Sequence, residues 1–370
     1  MQEKITSQQL GMMAMLYLLG SGLAFLPVSS AGRDAWAATI LASLVSFFIL
    51  AVLIKLQTMF PGLSLIQVGE LALGRWPGKI LAALFVVDLF IFFLVAAHDL
   101  VLLLRVFYPL VGRLNLTAVI IFASVYVVYK GINPIARVGQ VLAWVAIVFT
   151  LLALTLTATR FNLQNLTPFL ADFRPILAGG IAGAAGPHSE IILLALFLPL
   201  VSDLGQRRKT VYLWYFVAVL FILARSWLVV GTLGAEGTAL SRFPLLEGYR
   251  LVTLSNFQRV ELFFFILWFS TSFFAVVLGG TAILLSLQQL FNLKDYRATL
   301  FPAALCALSL GLYFIPSDIF FFDMVISSEA LLVLPFNLFY PSLVLLAGWL
   351  YLRRHPRFRP STPMKGAPGR

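Results

Sequence analysis

The sequence predicts an all-α integral membrane protein with ten transmembrane helices. Three observations carry that prediction. Of 370 residues, 61% are hydrophobic and 11% charged, whereas a soluble domain holds about 45–50% apolar and about 25% charged residues. The apolar residues come in long blocks, such as 80–93, 118–128 and 262–269, and a spanning helix needs about 20 mostly apolar residues. The basic residues sit mostly at block ends, where they orient a chain in the bilayer.

Taken in order, the spans cover about 8–30, 35–59, 77–107, 114–130, 138–159, 175–201, 209–234, 259–287, 297–315 and 332–352. Pro61, Pro77, Pro134 and Pro175 mark loops between blocks. Residues 63–74 (LSLIQVGELALG) are too few to span, and their amphipathicity predicts a helix lying at the interface. Residues 353–370 are basic and proline-rich, which predicts a disordered cytoplasmic tail. Residues 1–352 then form a single transmembrane domain. The first 30 residues have a signal-like layout of Lys4, an apolar run and Ser29-Ser30-Ala31. The run is long for a signal peptide, and removing it would leave an odd number of spans, so it is expected to remain as the first helix.

Orientation follows from counting. With the N-terminus inside, 17 of the 26 Lys and Arg residues fall on the cytoplasmic side, including all seven lysines, and eight fall outside. Arg225 lies within a span. The positive-inside rule therefore places both termini in the cytoplasm. The net charge of +11 belongs to this asymmetry. No basic helix face or aromatic-interleaved basic patch points to nucleic acid. The single cysteine, Cys306, rules out an internal disulfide or a cysteine metal cluster and reads as a small buried hydrophobe. HExxH, Walker A and CxxC patterns are absent, Gly32-Arg33-Asp34 reads as a loop, and His98, His188 and His355 are scattered. No enzyme, metal site or cofactor is expected.

Two spans carry interruptions. The first reads Leu18-Leu19-Gly20-Ser21-Gly22-Leu23; the sixth runs from Gly179 through Gly183 and Gly186 to Pro187. Glycine weakens a helix and proline removes a donor, so either stretch can unwind. Unwound backbone at membrane depth is tolerated only against protein or a water-filled cavity. Spans one and six are five helices apart and cross in opposite directions, as in transporters built from inverted repeats. In that arrangement the amides near Ser21-Gly22 would open the second half of span one. The carbonyls near Ala182-Gly183 would close the first half of span six, with Pro187 and Glu190 beginning its second half. The alternative is close helix packing through small residues, which Gly179-x-x-x-Gly183 also fits.

Ionisable residues inside the membrane are functional candidates. Span three carries Asp88, His98 and Asp99, with the two acids eleven residues apart on one helix face. Span six carries Glu190, and span seven carries Arg225 at mid-depth, a partner for Glu190 or Asp88. These four (Asp88, Asp99, Glu190 and Arg225) form either a structural ion pair or a coupling and gating network. Ser270-Thr271-Ser272 in span eight offers hydroxyls for sodium or for backbone carbonyls.

Several ordered segments then resemble the B subunit of bacterial spore germinant receptors, a branch of the amino acid–polyamine–organocation transporter superfamily. They are Lys4 through Leu10, Gly20-Ser21, Leu26-Pro27, Gly32-Arg33-Asp34-Ala35-Trp36, Phe60-Pro61-Gly62, Leu73-Gly74, Gly131, Ala136-Arg137, Leu166-Thr167-Pro168, Glu190, Pro199, and Gln258 through Glu261 with Trp268. The stretch 178–189 is richer in glycine than the family pattern. The resemblance implies a LeuT/APC-like fold of two inverted five-helix repeats, about 8–159 and 175–315, closed by helix ten at about 332–352, with helices one and six discontinuous.

It also implies a small nutrient ligand, often an amino acid, and a complex with receptor A and C subunits in the spore inner membrane. On the matched segments, Gly20, Ser21 and Gly22 would take a carboxylate. Gly183 with Ala182 and Ala184 would take an amine. Phe92, Val95, Phe269 and Thr271 would line the pocket. The expected function is germinant sensing, with the outer loop 236–258 as lid or partner surface. The rivals are an active amino acid permease coupled to protons or sodium, and a structural membrane scaffold without a ligand.

Overall fold

The computed structural model describes residues 4–24, 26–252, 261–315, 317–323 and 329–356. Among these, the chain is helical apart from loops and one isolated bridge between Ile5 and Val201. The helices are α1 (Ser7–Ala24), α2 (Ala35–Met59), α3 (Leu65–Leu73), α4 (Arg75–Phe107), α5 (Arg113–Tyr129), α6 (Ile132–Ala158), α7 (Phe173–Gly183), α8 (Leu204–Leu240), α9 (Pro244–Arg250), α10 (Glu261–Leu290), α11 (Leu300–Phe314), α12 (Asp318–Asp323) and α13 (Glu329–Arg354). Eight segments of the described residues are long and apolar enough to cross a bilayer. The remaining two expected spans coincide with α1, of 18 residues, and α5, of 17.

Helix α1 is apolar all round, the pattern of a helix enclosed by others, and every residue from Leu10 to Gly20 is buried. At its start, the Ser7 amide and hydroxyl both donate to Asp203 Oδ1, at 2.7 and 2.9 Å. Just upstream, the Ile5 amide donates to the Leu200 carbonyl and the Ser202 amide donates to the Ile5 carbonyl, each at 3.0 Å. The start of span one is thereby fastened to the end of span six.

The 3-10 stretch Pro27–Asp34 joins α1 to α2, and Gly32 within it has φ 58°, a left-handed conformation that glycine adopts without strain. The residues around it tie the loop before span six to the bundle. The Arg33 guanidinium donates to the Thr167 carbonyl. The Asp34 carboxylate accepts from the amides of Leu170 and Ala171. Trp36 packs edge-on against Trp227 and Phe169.

Four sequence expectations change. The stretch Gly20–Gly22 is helical, and α1 runs on to Ala24, so span one is not interrupted at its glycines. Pro77, Pro134 and Pro175 lie inside helices, each the third residue of α4, α6 or α7, where a helical N–H has no intrahelical partner to lose. Cys306 is exposed rather than buried: it sits on the face of α11 opposite Ala304 and Ala307, which pack inward. In a bilayer that outer face meets lipid at no hydrophobic cost. Span seven is longer than expected, and α8 carries a kink at Gly234, φ 73°.

The short helix at 63–74 forms as α3, closed by a capping box between Ser64 and Gln67. Residues 253–258 of the outer loop, the Gln258–Val260 part of the resemblance and the tail from 357 lie outside the described residues.

Candidate functional site

Span six breaks where its glycines and proline stand. Helix α7 ends at Gly183, a π turn covers Ala184–His188, and Gly186 leaves helical geometry at ψ −123°. Pro187 follows, and tighter 3-10 turns begin at Ser189, placing Glu190 in their first turn. The first half of span six thus ends at the expected Ala182-Gly183, and the residue that leaves helical geometry, Gly186, follows three positions beyond Gly183.

The small residues before the break are packing surfaces. A Cβ on Gly183 would lie 2.7 Å from Val28 Cγ1 and 3.1 Å from Ala42 Cβ. Ala184 packs with Ala42, Ala185 and Leu334, and Ala182 is half-buried. The same holds in span one. A Cβ on Gly20 would lie 2.6 Å from the Thr271 carbonyl oxygen, and one on Gly22 would lie 3.3 Å from Ile222 Cδ1. The Ser272 hydroxyl donates to the Gly20 carbonyl at 3.1 Å, while the Thr271 hydroxyl donates to the Leu267 carbonyl at 2.9 Å. Spans one and eight are closed together at this level, so a ligand between Gly20 and Thr271 requires them to part. The side chain of Ser21 lies outside the described residues.

The four expected pocket walls sit as follows. Phe92 is buried in the main core. Val95 packs toward Leu102, Ile315 and Phe321. The Phe269 ring stacks with Phe265 and Phe273 along α10. Thr271 lies against Gly20 through its backbone carbonyl.

The intramembrane charges gather closer to the break. Asp88, Asp99, Glu190 and Arg225 are 5%, 3%, 4% and 4% exposed. The Tyr17 side chain of α1 hydrogen-bonds Glu190 and lies near Asp88. Asp99 lies within electrostatic range of Glu190, and its Oδ2 accepts from Trp268 Nε1 at 3.3 Å. A charged residue at mid-bilayer costs about 2.5–3.5 kcal/mol on insertion scales. Three buried carboxyl groups around one helix break suit an ammonium group or a proton.

A second polar chain holds the break from the other side. His188 Nδ1 meets the Ser46 hydroxyl at 3.3 Å, and Ser46 Oγ lies 2.6 Å from the Tyr215 hydroxyl, which donates to the Ser43 carbonyl. His188 is 3% exposed and lies close to Arg225. From α13, Asn337 Nδ2 donates to Ser189 Oγ at 3.3 Å. Tyr17, His188, Ser46, Tyr215 and Asn337 are absent from the sequence-derived site. Tyr17 and Asn337 stand in apolar runs with no pattern around them, and His188 beside Gly186-Pro187 is the one that carried a signal.

Comparisons over the whole chain give its family and its fold. Residues 4–319 match the profile of the family described as spore germination protein. Spore germination protein KB of Bacillus subtilis (strain 168) is 25% identical over 362 residues, covering 95% of this chain and 96% of its own. Spore germination protein YndE of the same organism is 22% identical, covering 79% and 82%. Among solved structures, MhsT in complex with L-phenylalanine superposes with TM-score 0.63 at 15% identity, covering 95% of this chain and 99% of that one. A Na+-coupled sialic acid symporter in a substrate-bound outward-open state gives TM-score 0.60 at 11% identity, covering 97% and 91%. At these identities the structures speak for the fold, which is that of secondary transporters. The chain is a multi-pass membrane protein, not an enzyme, and it belongs to the spore germination permease family.

Proposed function

We propose that this chain is the nutrient-sensing membrane subunit of a spore germination receptor, and that its nutrient is an amino acid held between spans one and six. The observation that carries the reading is the interrupted span six, with Glu190 two turns beyond Gly183 and in contact with Tyr17 of span one. We read the ten segments as two inverted five-helix repeats, about 8–159 and 175–315, with helix ten closing the bundle. Both termini lie in the cytoplasm, and receptor A and C subunits are the partners, in the spore inner membrane.

The ammonium of the nutrient meets the acids around Glu190, and its carboxylate takes the amides of Gly20, Ser21 and Gly22, which span one frees by unwinding there from its continuous helix. Gly183 and Thr271 border the passage that opens when spans one and eight part. Binding favours one arrangement of spans one and six against the scaffold, and it shifts the equilibrium only by its differential affinity for the two states. Dipicolinic acid release from spores with and without the gene, over a panel of amino acids, sugars and nucleosides, tests this. Loss of the response to amino acids alone supports the reading. Loss of the response to sugars alone overturns the ligand class.

The buried acids favour a second reading, an amino acid permease coupled to protons; sodium coupling would use the Ser272–Gly20 contact instead. Uptake by proteoliposomes separates the two functions. A flux that follows an imposed pH gradient supports the proton-coupled permease, and a flux that requires sodium supports the other coupling.

A further inference from the structure

At the C-terminal end of α4, a cavity of about 190 Å³ is lined by Arg105, Arg242 and Asp318 together with Leu102, Val106 and Phe243. Asp318 is already engaged: its Oδ2 accepts from Arg105 Nη1 at 2.7 Å, and its Oδ1 lies 3.6 Å from His98 Nε2. A third guanidinium, that of Arg113, lies near Asp318 and donates to the Gly311 carbonyl at 2.9 Å. Among the described residues the lining thus holds two guanidiniums and one carboxylate, with Arg113 within electrostatic range, and carries net positive charge. Arg105 commits Nη1 to Asp318, and a guanidinium has five N–H donors in a planar fork matched to a carboxylate.

The floor of the cavity is apolar and connects inward. Phe243 packs edge-on against Trp268 at 5.0 Å between ring centroids, and Trp268 Nε1 donates to the buried Asp99. Drug-sized ligands occupy pockets of about 300–1,000 Å³, so this smaller space suits a small metabolite. We propose that the cavity is a binding site for a small carboxylate-bearing solute, held by Arg105 and Arg242 with its apolar part against Leu102, Val106 and Phe243. The site is separate from the passage between spans one and six, and its test is independent of the nutrient reading.

Val106, which is 37% exposed, serves as the reporter. In the full chain carrying Cys306→Ser and Val106→Cys, purified in detergent without added lipid, thiol modification is timed with anionic and cationic methanethiosulfonates. The positive wall predicts faster reaction with the anionic reagent, by about tenfold, the lower end of electrostatic rate focusing in clefts. Propionate is expected to slow modification, propionamide to leave it unchanged, and inorganic phosphate to protect less well than propionate. Arg242→Gln removes the protection, whereas Arg242→Lys keeps the preference for the anionic reagent and weakens the protection.

Equal rates for the two reagents overturn the proposal without any arginine variant. So does equal protection by propionate and propionamide, or protection that survives Arg242→Gln in monodisperse protein. Phosphate protecting as well as propionate also overturns it and points to a lipid phosphate instead.

Discussion

The carboxylate of Asp34 accepts a hydrogen bond from the backbone amide of Leu170 at 2.8 Å, across 136 residues of sequence. Its second oxygen accepts from Ala171 at 3.2 Å. Leu170 itself has φ 52°, so this carboxylate holds a loop in a conformation that a leucine seldom adopts.

Removing the carboxylate leaves two amides to find water. Hydrogen bonds to charged groups contribute about 1.5–3 kcal/mol each. Asp34→Ala is therefore expected to lower stability by about 2 kcal/mol or more, and Asp34→Asn, which keeps one acceptor oxygen, by roughly half as much. Denaturant unfolding of the detergent-solubilised chain measures both. Equal losses in the two variants would mean that one of the two bonds carries nothing.

Gly20 and Gly183 are expected to differ. A Cβ on Gly20 meets the backbone carbonyl of Thr271 at 2.6 Å, whereas one on Gly183 meets Val28 Cγ1, a side-chain atom, at 2.7 Å. A side chain can change rotamer and a packed helix backbone cannot. Overpacking costs about 1–3 kcal/mol, so Gly20→Ala falls near the top of that range and Gly183→Ala near the bottom. The reverse order in unfolding experiments would show that the contact between spans one and eight yields more easily than its geometry implies.

These two glycines also show where a sequence is legible and where it is not. Long apolar blocks and the distribution of lysines locate the helices because hydropathy is a property of each segment alone. The break in span six is legible for the same reason: Gly186-Pro187 disfavours a helix whatever surrounds it. Gly20 is ambiguous because unwinding and close approach call for the same residue. The atom opposite decides, and Thr271 lies 251 positions away. Tyr17 stands in a helix that is apolar all round, so no periodicity marks the side that faces Glu190. The Gly32–Trp36 segment is conspicuous as a motif, yet its clamping of residues 167–171 appears only once the two loops are brought together.

The Tyr215 hydroxyl supports the break in span six through Ser46 and His188. Tyr215→Phe keeps the ring against Phe47 and Phe216 and removes only the hydroxyl. Polar contacts between membrane helices average about 0.6 kcal/mol and reach about 1.7. A loss of about 1 kcal/mol is expected, together with faster amide hydrogen exchange across residues 184–188. A stability loss with unchanged exchange there would separate this hydroxyl from the break.

Trp268 and Asp99 test whether the buried acids are held or merely enclosed. Trp268 is fully buried, Asp99 is 3% exposed, and the indole N–H is the donor to Asp99 Oδ2. The other oxygen, Oδ1, has no hydrogen-bond partner among the described residues. Trp268→Phe therefore removes the indole donor and leaves a cavity, and a buried acceptor left without its donor costs about 1–3 kcal/mol. Asp99→Leu instead removes the carboxyl group and leaves the indole N–H without its acceptor, at about 1–3 kcal/mol. Combining the two changes removes donor and acceptor together, which by itself is nearly neutral. The double variant is thus expected to be more stable than the sum of the single losses by about 0.5–3 kcal/mol, the range found for residues in direct contact. Unfolding of all four proteins in mixed micelles gives this coupling energy. A value near zero would mean that Asp99 draws its stabilisation from elsewhere, with the Phe243–Trp268 contact serving only as packing.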